Sequence, residues 1–521
     1  MNRVPPAQRF ATACLATPHY LATHAGAAVL RHGGNAMDAA IAANLVLGVV
    51  APYTCGIGGD CFALVWDGAL HGYNGSGRAP ATATPEAVVE RLGASSDPAA
   101  DMPRHGPLPI TVPGAVDAWF ALLERFGNRS FADLAEPAIA YAAGGFPLTA
   151  AGAARIAAGR PAEPGWGDWD RIYGRAAPGA RLRQPDLART LEAVAAGGPD
   201  AFYRGEIAAA VAGHVQRLGG LLAASDLAAH RGEWVEPLEG RYRDLTVAQL
   251  PPNSQGSAAL LALHLLDSAG PLPPEGPDRQ HRLIEAAIAA LAERDAHLTD
   301  PGHMRLPPDV LADPARARAV AGGPSAAGAG GAARGGGGDT AYLCAADASG
   351  MCVSLIQSNY NGFGSGVTVP GLGINLHNRG AYFRLDPGHV NVLAPGKRTL
   401  HTLMPALARR GGRPFLVFGT MGADGQLQTQ VQLLARLVDD GADPAAALAA
   451  PRWVVDPGDA AVRIEDRFPP ATIDGLRRLG HRVEVVGGWE DPMGHAHLIR
   501  IDDDGLTAAS DPRGEGLAAG S

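Results

Sequence analysis

The feature that most limits how this chain can fold is a run of small residues in its middle. Residues 319–338 read AVAGGPSAAGAGGAARGGGG and offer almost no side chain to bury. Such a composition predicts a flexible linker, which we place at 319–339. The run ends abruptly at Asp339–Thr340, where TAYLCAAD begins an apolar, strand-like segment. The chain therefore divides into residues 1–339 and 340–521.

The two parts carry different patterns. The first is mainly helical and Ala-rich; its clearest helix follows Asn35, which forms a capping box with Asp38 three residues on. The second begins with two apolar strands, TAYLCAAD and MCVSLIQS, on either side of a four-residue turn at 347–350. More apolar strands follow at RPFLVFGT and HAHLIRI. These patterns indicate an α+β protein with a helix-rich first part and a strand-rich last part.

Composition excludes several classes of function. The chain is 46% hydrophobic and 18% charged, which is typical of a globular protein, and its net charge of −9 argues against a nucleic-acid partner. Five cysteines without a C-x-x-C pair predict buried thiols in a reducing compartment. The N-terminus lacks the apolar core of a signal peptide, and the most apolar helix is too short for a bilayer. We therefore expect a cytoplasmic protein with no membrane partner.

No cofactor or metal is expected. GIGGDC and GFGSGV each contain G-x-G, but a dinucleotide-binding loop needs a third small residue and then a helix. Cys61 and Val367 occupy those third positions, and strand-like sequence follows both. His495 and His497 lie two apart without a third nearby ligand, which is weak evidence for zinc.

Thr340 is the residue with the most distinctive position. A threonine hydroxyl is a weak nucleophile, and one general solution makes threonine the first residue of a chain, so that its own α-amine acts as the base. A linker followed by Asp-Thr and a strand suits the backbone cut that this requires. The same pattern also fits a hinge between two domains.

A resemblance favours the first interpretation. The segment DTAYLCAADASGMCVSLIQSNYNGFGSGVTVPGLGINLHNRG resembles the start of the small subunit of γ-glutamyltransferases, which are N-terminal nucleophile hydrolases. Similar motifs occur in order along the chain, among them LPPNSQG, LAPGKRTLHTLMPAL and FGTMGADGQLQTQ. The resemblance implies a four-layer αββα fold, with two stacked antiparallel sheets flanked by helices. It also implies self-cleavage between Asp339 and Thr340, which would give a heterodimer of large and small chains within one αββα unit. A higher oligomer stays open.

The catalytic residues of the family transfer to this sequence. Thr340 would be the nucleophile and its freed α-amine the base. Ser358 stands where the family has a hydroxyl residue hydrogen-bonded to the nucleophile. Gly422 and Ala423 match the Gly-Gly pair whose backbone N–H groups stabilise the oxyanion, and alanine keeps that N–H.

The residues that recognise the acyl group depart from the family. Ser76 stands at the place of an arginine, with Arg78 two residues on; Tyr382 replaces an aspartate, Tyr360 an asparagine, and His401 and Thr402 a pair of serines. A tyrosine cannot supply the negative charge that a substrate ammonium group requires. Arg78 and Arg379 would bind a carboxylate or form structural ion pairs. Tyr360, Phe363 and Tyr382 would narrow the pocket or pack in the core.

These departures shape the expected activity. We predict a self-processing amidohydrolase that cleaves a small, oxamate-like acid amide through an acyl-enzyme on Thr340. One alternative is a γ-glutamyl hydrolase or transferase acting on glutathione or similar compounds. A second is an unprocessed, inactive member that acts as a binding protein.

Overall fold

A computed structural model describes residues 6–93, 101–321 and 339–521 of the chain. Most of the predicted linker, residues 322–338, lies outside that range. Within it the strands are β1 Gln8–Phe10, β2 Cys14–Thr17, β3 Asp60–Trp66, β4 Leu70–Gly75, β5 Phe146–Pro147, β6 Arg181–Leu182, β7 Glu233–Val235, β8 Leu238–Tyr242, β9 Leu245–Gln249, β10 Asp339–Ala346, β11 Cys352–Tyr360, β12 Thr368–Val369, β13 Ile374–Asn375, β14 Ala406–Arg410, β15 Arg413–Thr420, β16 Trp453–Val455, β17 Val462–Glu465, β18 Val483–Val486, β19 Ala496–Asp502, β20 Gly505–Ser510 and β21 Leu517–Gly520.

The helices connect and cover these strands. They are α1 Tyr20–Arg31, α2 Ala36–Val50, α3 Pro85–Leu92, α4 Ala115–Phe126, α5 Phe131–Gly144, α6 Ala150–Ala158, α7 Trp169–Tyr173, α8 Pro185–Tyr203, α9 Glu206–Arg217, α10 Ala224–Ala229, α11 Gly256–Ser268, α12 Pro277–His297, α13 Pro308–Ala312, α14 Pro314–Ala321, α15 Gly425–Leu434, α16 Pro444–Ala449 and α17 Pro470–Arg478. The predicted capping box is confirmed: Asn35 and Asp38 cap α2 reciprocally.

Two large antiparallel sheets form the centre of the molecule. The first has the strand order β21-β2-β10-β11-β3-β4-β7, and the second has the order β1-β20-β19-β15-β14-β9-β8. Apolar side chains from both sheets, including Phe62, Tyr342 and Val417, form one core between them. Helices cover the outer faces, with α2 and α4 on the first sheet and α11 and α15 on the second. This is the αββα arrangement.

Strand β10 shows why the sheets stack. Its residues are buried on both faces, so alternate side chains enter different cores. Leu343 and Ala345 pack toward the helices, whereas Tyr342 and Cys344 pack toward the second sheet. A strand of this kind must lie in the middle of a layered fold, and the segment after Thr340 therefore sits at the molecule's centre.

Both sheets mix strands from before and after Asp339. Strands β2, β3, β4 and β7 of the first sheet precede it, and β8 and β9 of the second sheet do so as well. Strands within the helix-rich first part therefore complete both sheets. All five cysteines are buried free thiols. Along the described ranges, none of the helices combines the length and apolar character needed to cross a bilayer.

Candidate active site

Thr340 lies at an irregularity between two central strands. Asp339 pairs with Tyr360 and Ala341 with Gln357, so two residues of β11 stand opposite Thr340 alone. This β-bulge redirects the side chains of β11. As a result, the Thr340 hydroxyl donates a hydrogen bond to Ser358 Oγ at 3.0 Å. Thr340 is 3% exposed, so this contact is shielded from water.

The Ser358 hydroxyl contacts both groups that would react in self-cleavage. It accepts from Thr340 Oγ1 and donates to the carbonyl oxygen of Asp339 at 2.9 Å. The backbone N–H of Tyr360 also donates to Ser358 Oγ, at 2.7 Å, and fixes its position. Ser358 therefore bridges the hydroxyl of Thr340 and the carbonyl of the peptide bond that precedes it.

A turn with free amide groups follows β15. Gly422 and Ala423 have φ values of 130° and 47°, and the N–H groups of both donate to no acceptor within the described ranges. The Cβ of Ala423 is accommodated in this left-handed conformation, and helix α15 begins two residues later at Gly425. Ala423 packs in one cluster with Tyr360 and Tyr382. Two unpaired N–H groups at a helix N-terminus form the donor arrangement of an oxyanion hole.

Arg379 places a buried positive charge beside this turn. It is 1% exposed, and its Nη1 donates to Thr402 Oγ1 at 3.1 Å. Its Nε and Nη2 have no hydrogen-bond partner among the described residues. Its guanidinium carbon lies 4.4 Å from the ring centre of Tyr360 and 5.7 Å from that of Tyr382. Burial lowers the pKa of Arg379, so the charge is costly unless an anion joins it.

Tyr382 leads to a carboxylate that the sequence analysis missed. The Tyr382 hydroxyl donates to Asp424 Oδ1 at 2.9 Å, and buried Arg294 donates to the same oxygen at 2.6 Å. Burial, reinforced by Asp424, raises the pKa of Tyr382 well above its usual value, which keeps the hydroxyl protonated. The signal for Asp424 was its position directly after Ala423, but the aligned motif drew attention only to the Gly-Ala pair.

His401 belongs to a separate buried network and does not line the substrate site as expected. Its Nε2 lies 3.1 Å from Asp60 Oδ2, and the N–H of Leu403 donates to its Nδ1. Burial, together with the charge of Arg379, lowers the pKa of His401 to about 3. His377 Nδ1 approaches the same Asp60 oxygen at 3.4 Å. Both ring nitrogens of His401 are engaged, so neither is free to contact a substrate.

Asp60 and His377 were also missed from the sequence. The N–H groups of Gly77 and Gly114 donate to Asp60 Oδ1, each at 3.2 Å. Burial opposes ionisation of Asp60, but His377, His401 and Arg379 outweigh it and hold its pKa below the usual value. These donor types suit a metal, yet Asp60 and His401 already bind one another and the backbone, and His377 Nε2 is engaged by the carbonyl of Thr111. We interpret the network as a negative charge that partly compensates Arg379.

Arg78 and Phe363 take the structural alternatives that the sequence left open for them. Arg78 is 42% exposed at its side chain and forms ion pairs with Glu233 at 2.9 Å and Asp300 at 3.2 Å. Its guanidinium is therefore not available to a substrate carboxylate. Phe363 packs in the first core against Trp169 and Tyr173, with ring centres 5.4 and 4.8 Å away. It is a core residue and not a pocket wall.

Asp339 sits in an environment that disfavours its charge. Burial raises the pKa of Asp339 to about 6; Asp491 adds to the shift and Arg155, at 3.8 Å, opposes it. Arg155 also pairs with Asp491, so it compensates Asp339 only in part. The ionised side chain is therefore poorly accommodated at neutral pH.

The sequence profile of the family described as gamma-glutamyltranspeptidase matches residues 22–521. The chain belongs to the γ-glutamyltranspeptidase family. It is accordingly a hydrolase or acyltransferase of the N-terminal nucleophile type that acts on amide bonds.

Three relatives of this family illustrate its range. The glutathione hydrolase-like YwrD proenzyme of Bacillus subtilis (strain 168) is 41% identical, covering 97% of each chain. The oxamate amidohydrolase proenzyme of Klebsiella pneumoniae subsp. pneumoniae is 38% identical over 96% of this chain and 97% of its own. The crystal structure of cephalosporin acylase from Bacillus halodurans superposes with a TM-score of 0.92 at 38% identity, covering 100% of this chain and 98% of that one. The γ-glutamyltranspeptidase family thus includes relatives named for different acyl groups.

Proposed function

We propose that this γ-glutamyltranspeptidase family member is a self-processing amidohydrolase that cleaves small acid amides through an ester on Thr340. The observation that carries the proposal is the buried guanidinium of Arg379, with two unpaired nitrogens, in the cluster that adjoins Thr340 and Ser358. The name of the oxamate amidohydrolase proenzyme, at 38% identity, supports both the acid amide and the processing.

Self-processing follows from the contacts of Ser358. Thr340 Oγ attacks the carbonyl carbon of Asp339, its proton passes toward Ser358, and the Ser358 hydroxyl stabilises the oxygen that gains negative charge. The C–N bond then breaks and the new α-amine takes a proton. Water hydrolyses the resulting ester, which frees the Asp339 carboxylate and the hydroxyl of Thr340.

The mature site would use the same threonine. Its free α-amine has a pKa near 8 in water, and it removes the proton from the hydroxyl as Oγ attacks the substrate carbonyl. The N–H groups of Gly422 and Ala423 stabilise the oxyanion, and the protonated α-amine then gives its proton to the amide nitrogen, which leaves as ammonia when the C–N bond breaks. Water resolves the ester by the reverse proton path. Removing one oxyanion donor typically costs about 10²–10³ in rate.

Arg379 defines the acid half of the substrate. A carboxylate that binds its Nε and Nη2 would form two charge-assisted hydrogen bonds and neutralise a buried cation. The rings of Tyr360 and Tyr382 lie against this guanidinium, with ring centres 5.0 Å apart, and bound it on one side. A two-carbon acid amide joins a carboxylate directly to the reacting carbonyl, which suits this compact arrangement.

The two chains of the processed enzyme would stay together as a heterodimer. Strand β10 of the small chain pairs with β2 of the large chain, and β11 pairs with β3. The relatives named proenzymes support processing of this kind.

Hydrolysis of γ-glutamyl compounds is a second candidate, and Asp424 favours it. Its carboxylate accepts a hydrogen bond from the hydroxyl of Tyr382, the residue that stands where the family has an aspartate. Asp424 would thus supply the negative charge for a substrate amino group, although Arg294 already neutralises it in part. The name of the YwrD relative, at 41% identity, is consistent with this candidate.

Ammonia release from oxamate should be compared with release of p-nitroaniline from γ-glutamyl-p-nitroanilide. We expect the higher kcat/KM for oxamate. Arg379→Met should lower that value by about 10²-fold, since hydrogen bonds to charged groups contribute about 1.5–3 kcal/mol each. In the same variant, kcat/KM for the neutral diamide oxamide should fall much less. Arg78→Met is the matched comparison, with a change within about threefold because Arg78 has its own acidic partners.

Asp424→Asn separates the two candidates. If γ-glutamyl-p-nitroanilide is the better substrate, and if this substitution abolishes its turnover, the second candidate replaces the first. If the enzyme is cleaved but turns over neither substrate, both assignments of the acyl group are contradicted. The proposed self-cleavage at Thr340 would still stand.

A further inference from the structure

Three side chains with the donor types of a metal site converge outside the active site. His281 and Glu285 belong to α12, and His481 lies in the loop between α17 and β18. His281 Nδ1 is 2.7 Å from His481 Nε2, which is 3.8 Å from Glu285 Oε1. The three ligand atoms all lie within 4.8 Å of one another.

Rigid elements hold these residues together. His281 and Glu285 are four residues apart on α12 and therefore project from one face. Helix α17 packs closely on the start of α12, since a Cβ at Gly475 would lie 2.4 Å from Pro277 Cβ. The N–H of His481 donates to the carbonyl of Leu476 and closes the end of α17. The cluster is thus fixed by two packed helices.

Hydrogen bonding alone satisfies this cluster poorly. His481 Nε2 faces both a second imidazole nitrogen and a carboxylate oxygen, but one ring nitrogen offers a single proton or a single lone pair. A cation at the point of convergence would accept a lone pair from all three atoms.

We propose that His281, Glu285 and His481 bind a divalent transition-metal ion of the zinc class, with water completing a tetrahedron. Two imidazoles and one carboxylate are ligands that zinc favours, whereas magnesium prefers more oxygen ligands. Zinc–nitrogen bonds of about 2.0–2.1 Å at a tetrahedral angle place the nitrogens about 3.3 Å apart. The two rings therefore separate by about 0.6 Å when the ion enters.

The ion would have a structural role. His281 and Glu285 precede Asp339 and His481 follows it, so the ion would link the two parts of the chain whether or not they are cleaved. Arg294, which contacts Asp424, lies thirteen residues along α12 from His281, or about 20 Å at 1.5 Å per residue. The ion would therefore affect stability and not the chemistry at Thr340.

Calorimetric titration of the metal-free, untagged protein with Zn²⁺ tests the proposal. We expect one ion per chain with micromolar or tighter affinity, a raised Tm, and the visible absorption of a tetrahedral complex with Co²⁺. His281→Gln, Glu285→Gln and His481→Gln should each weaken binding at least tenfold. His303→Gln, an exposed histidine elsewhere, should change nothing, and Mg²⁺ should not raise the Tm.

Equal Zn²⁺ stoichiometry and affinity in the wild type and the His281→Gln/His481→Gln variant would overturn the proposal, as would a wild type that binds no ion. The side chain of Glu285 is 39% exposed, so Glu285→Gln is expected to fold. This variant therefore tests the proposal even if the histidine variants fail to fold.

Discussion

At the scale of single residues, Arg379 shows a charge retained at a cost to stability. Nothing in the described ranges accepts hydrogen bonds from its Nε and Nη2, and burial lowers its pKa. Unpaired buried donors typically cost about 1–3 kcal/mol each. The network of Asp60 and His401 offsets part of this cost through its negative charge. Such a cost is consistent with a site whose ligand supplies the missing anion.

Asp339 shows the opposite case, a carboxyl group whose ionisation the fold opposes. In the uncut chain its pKa is about 6, compared with 3.8 for an ordinary aspartate. Cleavage would release it from this environment. The destabilised charge therefore favours departure of the cut end at neutral pH.

This makes the stability of the uncut protein depend on pH. Between pH 4 and 6 the folded state binds more protons at Asp339 than the unfolded state does, so its contribution to stability falls as pH rises. In a Thr340→Ala background, Asp339→Asn should raise the free energy of unfolding by about 1–3 kcal/mol at pH 7.5 and change it little at pH 4. Urea unfolding at both pH values measures the difference.

Asp503→Asn is the control, because the side chain of Asp503 is 93% exposed. Its effect on the free energy of unfolding should be the same at pH 4 and pH 7.5. An equal effect of Asp339→Asn at both pH values would show that burial does not perturb this carboxyl group.

At the scale of secondary-structure elements, two residues of the candidate site have unusual positive φ values. Tyr360 and Ala423 have φ values of 79° and 47°, a region that costs a residue with a Cβ about 1–2 kcal/mol. Tyr360 ends the bulged strand β11, and Ala423 forms the turn before α15. Both irregularities place hydrogen-bonding groups near Thr340 that regular strands would direct elsewhere.

The bulge of β11 places Ser358 at the bond that the proposed self-processing would cut. Ser358→Ala removes the donor to the Asp339 carbonyl and should slow cleavage by about 10²-fold, whereas Ser358→Thr should restore most of the rate. A time course of precursor loss on denaturing gels measures this.

Ser354→Ala is the matched control: it also removes a buried hydroxyl of β11 that has two hydrogen-bond partners. It should process at the wild-type rate. Equal rates for Ser358→Ala and the wild type would exclude Ser358 from the reaction.

Local elements were predictable because their causes lie within a few residues. The capping box of α2 and the turn at 347–350 depend on neighbouring side chains, and both are present. The partners of Arg78 and His401 were not predictable. Glu233, Asp300 and Asp60 are distant in sequence and meet these residues only after the sheets form.

At the scale of the whole molecule, a cut after Asp339 need not separate the parts. Each sheet takes strands from both sides of that bond, and the core between the sheets is shared. Local pattern alone suggested two successive regions, because it does not show which strands pair across the chain. The layered fold was predicted only through the family resemblance, since pairing of β2 with β10 links residues more than 300 positions apart.

The proposed function requires that the chain cut itself before Thr340 and that this threonine then act as the nucleophile. Intact-mass spectrometry of the purified protein tests this requirement. We predict two species that correspond to residues 1–339 and 340–521, the second beginning Thr-Ala-Tyr-Leu, and a single uncut species for Thr340→Ala. A wild-type protein that stays at full length after prolonged incubation, or a Thr340→Ala variant cleaved at the same bond, would contradict the claim.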